Sequence, residues 1–274
     1  MNLLTPKLLG RLQRDVIEAL QAGRIAEASG SIEQILIQLY NSIPAGKRIS
    51  YGRVHTIKIL SGEMFSRLDR TAVGAFEPAA AVFTQSSSWQ VRGTALGILS
   101  YAGLREYRPV LPYFRTAAAS DQWELRELAQ MFFKTFIKAH PRQMHLYLIS
   151  LSRSPDPRLR RFVAETLRPV RENRWFYEQP EYPLSVLRGL FTESDPYPRT
   201  AVGNNLSDLA RSLPELVYEL VGKLVATGDA NARWIAARAC RNLVKRDPDR
   251  VMDLLGTNEY RYKGRRYLKR GAKI

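Results

Sequence analysis

A repeat of about 35 residues limits the folds that this chain can form. A polar turn is followed by an arginine and, three positions later, by a small or apolar residue, and this pattern recurs along the chain. The spacings between successive arginines are 34, 35, 38 and 34 residues, and the arginines are Arg92, Arg126, Arg161, Arg199 and Arg233. This period is typical of helix–turn–helix solenoids of the HEAT and armadillo kind.

The turns between repeats carry residues that favour helix starts. Three of them place a capping carboxylate directly before a proline at the first helical position, where the missing N–H has no cost. These pairs are Asp156-Pro157, Asp195-Pro196 and Asp247-Pro248. No segment alternates with period two for long enough to indicate a strand. We therefore predict an all-α fold, a HEAT-like helical-repeat superhelical solenoid with a basic concave face.

Three segments are expected within a single structural unit. Residues 1–80 are predicted to form an N-terminal helical cap, and residues 81–256 carry the repeats. Within the cap we predict three helices, at Leu8–Leu20, Ile32–Tyr40 and Val54–Leu60. They are separated by turns at Ala28–Ser31 and Ser42–Gly46. Residues 257–274 form a basic tail with interleaved tyrosines, which either binds phosphates and bases or is a solvated, disordered terminus.

The charge balance favours a polyanionic partner. Lys and Arg number 42 against 26 Asp and Glu, which gives a net charge of +16. A basic protein without such a target is the alternative. The sequence shows no leader peptide and no membrane-spanning stretch, so a cytoplasmic location and no membrane contact are expected.

The sequence lacks the residues that several kinds of site require. One cysteine, Cys240, excludes an internal disulfide, and its apolar surroundings predict a buried structural thiol. Three histidines without a cysteine cluster do not provide a zinc site, so no metal or other cofactor is expected. The chemistry should therefore depend on carboxylates, amides and aromatic side chains.

The stretch from Arg153 to Trp175 is unusually rich in arginine. Within it, Glu165 lies about one helical turn from both Arg161 and Arg168. The arrangement is either a solvated intrahelical ion pair or a carboxylate held ionised among arginines that contact a DNA backbone. Repeat stacking would bring Glu127, Glu165, Asn204 and Asp208 to one face.

Two further sets of residues are candidates. The pair Asn204-Asn205 is unfavourable in the middle of a helix, which suggests a specific role for it. Trp123, Trp175 and Trp234 are either anchors between repeats or contacts to bases.

Three segments in order carry a resemblance to a known family. They are Arg160–Pro169, Pro198–Asp208, which reads Pro-Arg-Thr-Ala-Val-Gly-Asn-Asn-Leu-Ser-Asp, and Arg233–Gly256. Together they resemble the AlkC branch of the HEAT-like DNA alkylation-repair glycosylases, which is related to the AlkD branch. The similarity covers roughly residues 85–256.

The resemblance implies a monofunctional DNA glycosylase of base excision repair. Its expected substrates are cationic alkylated bases such as 3-methyladenine and 3-methylcytosine in double-stranded DNA, and it is expected to be a monomer associated with the nucleoid. By position, the resemblance implies catalytic roles for Glu127, Glu165 and Asp208. The DNA-binding residues that we expect are Trp123, Arg158, Arg161, Arg168, Trp175, Arg199, Asn204, Asn205, Arg238 and Arg241.

Two alternatives belong to other functional classes. The first is a non-catalytic HEAT-repeat protein that binds bent or branched DNA with the same basic face. The second is a HEAT adaptor that binds an acidic protein partner, for which DNA affinity should be weak at moderate salt.

Overall fold

The computed structural model describes residues 3–270, apart from the side chains of residues 49–51. The described chain consists of α-helices and short helical turns, followed by a two-stranded β-hairpin. It divides into two units, Met1–His140 and Pro141–Ile274. The all-α prediction is confirmed for the helical-repeat part of the chain.

The first unit contains eight α-helices among its described residues. They are α1 (Pro6–Leu12), α2 (Glu18–Gln21), α3 (Ile25–Ser42), α4 (Arg48–Leu68), α5 (Phe76–Gln85), α6 (Trp89–Ala102), α7 (Leu111–Ala118) and α8 (Trp123–Ala139). Helix α4 packs on α6, and α6 packs on α8. Phe114, Phe133 and Phe136 are fully buried and meet edge to face, with ring centroids 5.0–5.7 Å apart.

The second unit contains seven α-helices among its described residues. They are α9 (Pro141–Ser152), α10 (Pro157–Thr166), α11 (Glu181–Leu187), α12 (Pro196–Leu209), α13 (Pro214–Ala226), α14 (Ala230–Ala239) and α15 (Pro248–Leu255). Helix α10 packs on α12, and α12 packs on α14, so successive repeats stack through their second helices.

The predicted helix starts are confirmed. The carboxylates of Asp156, Asp195 and Asp247 each accept a hydrogen bond from a backbone N–H in the first turn of the helix that follows, at 2.8–3.0 Å. The repeating arginines lie at the fourth or fifth residue of α6, α8, α10, α12 and α14. The arginine that recurs in the sequence therefore lies in the second helix of each helical repeat.

The N-terminal segment differs from the prediction in two respects. The turn predicted at Ala28–Ser31 is wrong, because these residues lie inside α3. Burial of Ala28, Ile32 and Ile35 on one face stabilises the helix there more than Gly30 destabilises it. The expected boundary after residue 80 also lies within the first unit, because α3 and α4 pack on α5 and α6.

The expected absence of strands is wrong for the C-terminal segment. Strands β1 (Glu259–Tyr262) and β2 (Arg265–Leu268) pair antiparallel, with Tyr260 opposite Tyr267. Lys263 and Gly264 form the connecting turn with φ values of 49° and 70°. Two positive φ angles are typical of the two-residue turn whose twist matches that of paired strands. The hairpin packs on α15, so residues 257–270 do not form a free tail, whereas Lys273 lies outside the described residues.

Candidate nucleic-acid interface

The candidate interface is a row of charged and amide side chains on α10, α12 and α14 of the second unit. Asp156, Asp195 and Asp229 cap the three helices and fix where each one begins. The close stacking of α12 on α14 requires Gly203, because a Cβ atom there would lie 2.8 Å from Cβ of Arg238. This short distance brings Asn204 within hydrogen-bond distance of arginines on and after α14.

The carboxylate of Glu165 is enclosed by two arginines. Its Oε1 lies 3.0 Å from Nη2 of Arg161, and its Oε2 lies 3.1 Å from Nη1 of Arg168. Glu165 is only 5% exposed. A buried carboxylate with a guanidinium on each oxygen holds both arginines in place, and its own access to a ligand is limited.

Arg168 joins this carboxylate to α12. Its Nε donates to Oδ2 of Asp208 at 3.0 Å, and its Nη2 contacts the same oxygen. Burial lowers the pKa of an arginine, but for Arg168 the hydrogen bond to Asp208 and the charge of Glu165 outweigh burial and raise the pKa. Arg168 therefore remains a fixed cation between two carboxylates.

Asp208 lies in an open cleft of about 240 Å³. Its Oδ1 lies 3.2 Å from Nη2 of Arg211, and its side chain is 13% exposed. The other charged residues that line the cleft are cationic: Arg168, Arg211, Arg238, Arg241 and Lys263. Asp208 is thus the one described acid at a cleft whose charge is otherwise positive.

Asn204 holds a pair of arginines at the same cleft. Its Oδ1 accepts from Nε of Arg238 at 2.9 Å and from Nη1 of Arg241 at 2.6 Å. Burial lowers the pKa of Arg238, and the neighbouring Arg241 lowers it further. A neutral amide therefore fixes two like charges side by side, which creates a strongly positive potential suited to an anion.

The rings of Tyr197 and Trp234 support three of the predicted DNA-binding arginines. The guanidinium of Arg161 lies 4.2 Å from the ring centroid of Tyr197. Trp234 lies beneath two arginines, with Arg199 at 4.5 Å and Arg238 at 5.4 Å. These cation–π contacts orient the arginines on the stacked helices.

The remaining candidates in the second unit lie elsewhere. Trp175 packs in an aromatic cluster with Phe176 and Tyr182, at centroid distances of 4.5 and 4.9 Å. Asn205 is 1% exposed and donates from Nδ2 to the carbonyl oxygen of Ala164 at 2.9 Å, so it connects α12 to α10. Arg158 is half-buried in the first turn of α10.

Two candidates belong to the first unit. Trp123 is the first residue of α8 and is 62% exposed. Glu127 lies one turn later, is exposed, and accepts a hydrogen bond from Nε2 of Gln130 at 2.5 Å. Together they present an aromatic ring and a carboxylate at the start of α8.

Sequence reasoning missed Tyr262 as a site residue. Its hydroxyl accepts from Nη2 of Arg241 at 2.9 Å, and its ring lies 4.5 Å from the same guanidinium. The alternation of Tyr260 and Tyr262 before Lys263-Gly264 is the signal that indicates the hairpin carrying it.

Other classes of site receive no support in residues 3–270. Among these residues, no cluster of three or more His, Cys, Asp or Glu side chains is arranged to hold a metal ion. In the same range, none of the helices combines the length and the apolar character needed to span a bilayer. Cys240 is fully buried, and burial raises the pKa of its thiol to about 12, which fits a structural residue.

The fold and this row of arginines define a helical-repeat protein with a basic face on its second unit. No family model matches the sequence, and no curated protein matches it. Among solved structures, AlkD2 from Streptococcus mutans superposes with a TM-score of 0.57 at 19% identity, over 77% of this chain and 98% of that chain. The smu.31 protein from Streptococcus mutans UA159 gives a TM-score of 0.57 at 19% identity, over 76% of this chain and 97% of that chain.

A third structure contains nucleic acid. The Pseudomonas fluorescens alkylpurine DNA glycosylase AlkC, bound to DNA with an abasic site analogue, superposes with a TM-score of 0.60 at 17% identity. The match covers 91% of this chain and 69% of that chain. The chain therefore has the HEAT-like helical-repeat fold that AlkC and AlkD2 share, as the resemblance of its motifs implied.

Proposed function

We propose that this protein is a DNA glycosylase that hydrolyses the N-glycosidic bond of cationic alkylated bases in duplex DNA. The substrates of the proposal are 3-methyladenine and 3-methylcytosine, and the pathway is base excision repair. The observation that carries it is the Asp208 carboxylate in a cleft whose other charged residues are all cationic. The shared fold with an alkylpurine DNA glycosylase that was solved bound to DNA supports the same choice.

The proposed chemistry needs few groups. An alkylated base that already carries a positive charge leaves without being protonated. The deoxyribose then develops oxocarbenium character, and a fixed carboxylate stabilises that charge. Asp208 fits this role, because its two oxygens are held by Arg168 and Arg211 and its side chain borders the cleft.

Glu165 and Glu127 have different proposed roles. Glu165 is a positioning residue, because it is buried and acts through Arg161 and Arg168. Glu127 is exposed on α8 of the first unit, and the resemblance alone carries its proposed catalytic role. Hydrolysis then gives the free base and an abasic site.

The proposed DNA contacts divide by chemistry. Arg161, Arg168, Arg199, Arg238 and Arg241 bind phosphates, and Arg158 extends this row to the start of α10. Asn204 orients two of these arginines, and Asn205 supports them by fixing α12 to α10. Trp123 is proposed to contact the strand from the first unit, and Trp175 supports the turn after α10. We infer a monomer that acts in the cytoplasm at the nucleoid.

A second function is favoured by one observation. Both carboxylate oxygens of Glu165 and of Asp208 already contact a guanidinium. A rigid, non-catalytic DNA-binding protein also requires ion pairs that hold its arginines in place. A protein of that kind binds bent or branched DNA and releases no base.

The test is release of free base from methylated duplex DNA. The purified chain is incubated with DNA methylated at adenine N3 and cytosine N3, and the soluble bases are separated by chromatography. Release of 3-methyladenine or 3-methylcytosine is the expected result. Salt-sensitive duplex binding without release supports the scaffold instead, and weak binding at moderate salt supports the adaptor for an acidic protein.

A further inference from the structure

A second cavity lies beside the cleft, between α14 and the hairpin. Its volume is about 530 Å³, which is in the range of sites for small ligands. Trp234, Tyr260 and Tyr262 contribute aromatic rings, and Arg238 and Arg241 contribute guanidinium groups. Ala237 of α14 also lines the cavity, and it does not line the cleft that contains Asp208.

The charge of this cavity favours an anion. Arg238 and Arg241 donate to the neutral oxygens of Asn204 and Tyr262. Glu259 is the acid that lines the cavity in the described chain, and its carboxylate is already paired with Arg261 and Arg266. The two guanidinium groups therefore retain their charge for a ligand.

The aromatic walls are held in place by hydrogen bonds. The hydroxyl of Tyr260 donates to the carbonyl oxygen of Ala237 at 2.6 Å, which fixes β1 to α14. Burial raises the pKa of Tyr260, so its hydroxyl keeps the proton that it donates. Fixed aromatic rings beside guanidinium groups are the combination that binds a planar base together with its phosphate.

We propose that this cavity binds a single unpaired nucleotide. Its phosphate contacts Arg238 and Arg241, and its base packs against the rings of Trp234, Tyr260 and Tyr262. A base stacked and paired in a duplex cannot enter the cavity. The nucleotide therefore comes either from a free mononucleotide or from an unpaired position in a DNA strand. The proposal goes beyond base excision and does not depend on the chemistry of Asp208.

The first experiment measures nucleotide binding to the full chain with and without a filled cavity. The probes are thymidine 5′-monophosphate, a fluorescein-labelled decamer of deoxythymidylate, and a fully paired duplex as competitor. Ala237→Phe fills the cavity, and Ala226→Phe, on the exposed end of α13, is the matched control. We expect Ala237→Phe to weaken binding of the decamer by about tenfold or more, and Ala226→Phe to leave it unchanged.

The two sources of nucleotide give different results. Titratable binding of the monophosphate that Ala237→Phe abolishes identifies a pocket for free nucleotides. Binding of the decamer alone identifies an unpaired position in a DNA strand. Equal affinity of Ala237→Phe and wild type for both probes overturns the proposal. Both readouts are independent of base release, so a failure here is distinct from a failure of the glycosylase proposal.

A second measurement keeps the proposal testable if Ala237→Phe does not fold. The wild-type chain is irradiated with a decamer that carries one 4-thiothymidine, and the crosslinked peptide is sequenced by mass spectrometry. Crosslinks to Trp234, Tyr260 or Tyr262 are expected. Crosslinks confined to peptides outside the cavity overturn the proposal.

Discussion

The guanidinium of Arg168 is bound to the carboxylate of Asp208, with Nε 3.0 Å from Oδ2, across the interface between two stacked repeats. The same guanidinium reaches Glu165 at 3.1 Å, so one cation connects a carboxylate on α10 with a carboxylate on α12. The position of Asp208 at the cleft therefore depends on a residue in the turn after α10.

Replacement of Arg168 by methionine is expected to destabilise the second unit. It leaves the buried Glu165 with one partner, and removing one member of a buried ion pair costs about 3 kcal/mol. Arg211→Met is the control, because Arg211 pairs with the same Asp208 but is 65% exposed, and its loss should cost at most about 1 kcal/mol. Urea unfolding of both variants measures the difference. Equal losses of stability would show that Arg168 is not the stronger partner.

The two adjacent asparagines are expected to separate stability from DNA binding. Asn205→Ala removes a buried hydrogen bond to Ala164 and should lower the free energy of unfolding by about 1–3 kcal/mol. Asn204→Ala removes the oxygen that orients Arg238 and Arg241, and should weaken duplex binding by about tenfold. Thermal unfolding and fluorescence anisotropy are measured on both variants. The same phenotype in both would contradict the assignment.

The close approach of α12 to α14 is tested at Gly203. Gly203→Ala places a methyl group against Cβ of Arg238 and should cost about 1–3 kcal/mol, because the helices must move apart. Gly222→Ala in α13 is the matched control, since its nearest neighbour is Leu254 at 3.6 Å. That control should be neutral or stabilising by up to about 1 kcal/mol, because alanine favours a helix over glycine. A destabilised Gly222→Ala with an unaffected Gly203→Ala would refute the packing argument.

The thiol of Cys240 is expected to be unreactive in the folded protein. Because burial raises its pKa to about 12, the thiol is protonated at pH 8, and only the thiolate reacts rapidly. A chromogenic disulfide reagent at pH 8 should label no cysteine until a denaturant is added, and one equivalent afterwards. Rapid labelling without denaturant would place this thiol at the surface.

The repeat was predictable because its signals are local. An Asp-Pro pair specifies a helix start through one hydrogen bond, and the arginine at the fourth or fifth residue follows at a fixed distance. The hairpin was not predicted, because its strands have four residues each and the turn is Lys263-Gly264 rather than the more common Asn-Gly. The turn predicted at Ala28–Ser31 was wrong because Gly30 destabilises a helix there less than the burial of Ile32 and Ile35 stabilises it.

The candidate site was only partly predictable for a different reason. The ion pairs of Glu165 with Arg161 and Arg168 follow from helical spacing and are present. The distinct contacts of Asn204 and Asn205 do not follow from the sequence, because neighbouring helical residues point about 100° apart and only the packing of α12 shows which helix each one meets. The participation of Tyr262 depends on a hairpin that packs after the last helix.

Single-turnover release of 3-methyladenine from a duplex, with Asp208→Asn compared with wild type, tests the proposed catalytic role of Asp208. Asp253→Asn, on the exposed side of α15, is the control, and duplex binding and thermal unfolding are measured for each variant. We predict that Asp208→Asn lowers the rate by about a hundredfold or more with duplex affinity nearly unchanged, whereas Asp253→Asn retains the wild-type rate. A wild-type rate in a folded Asp208→Asn would contradict the role of Asp208, and no release by the wild-type protein would contradict the proposed glycosylase.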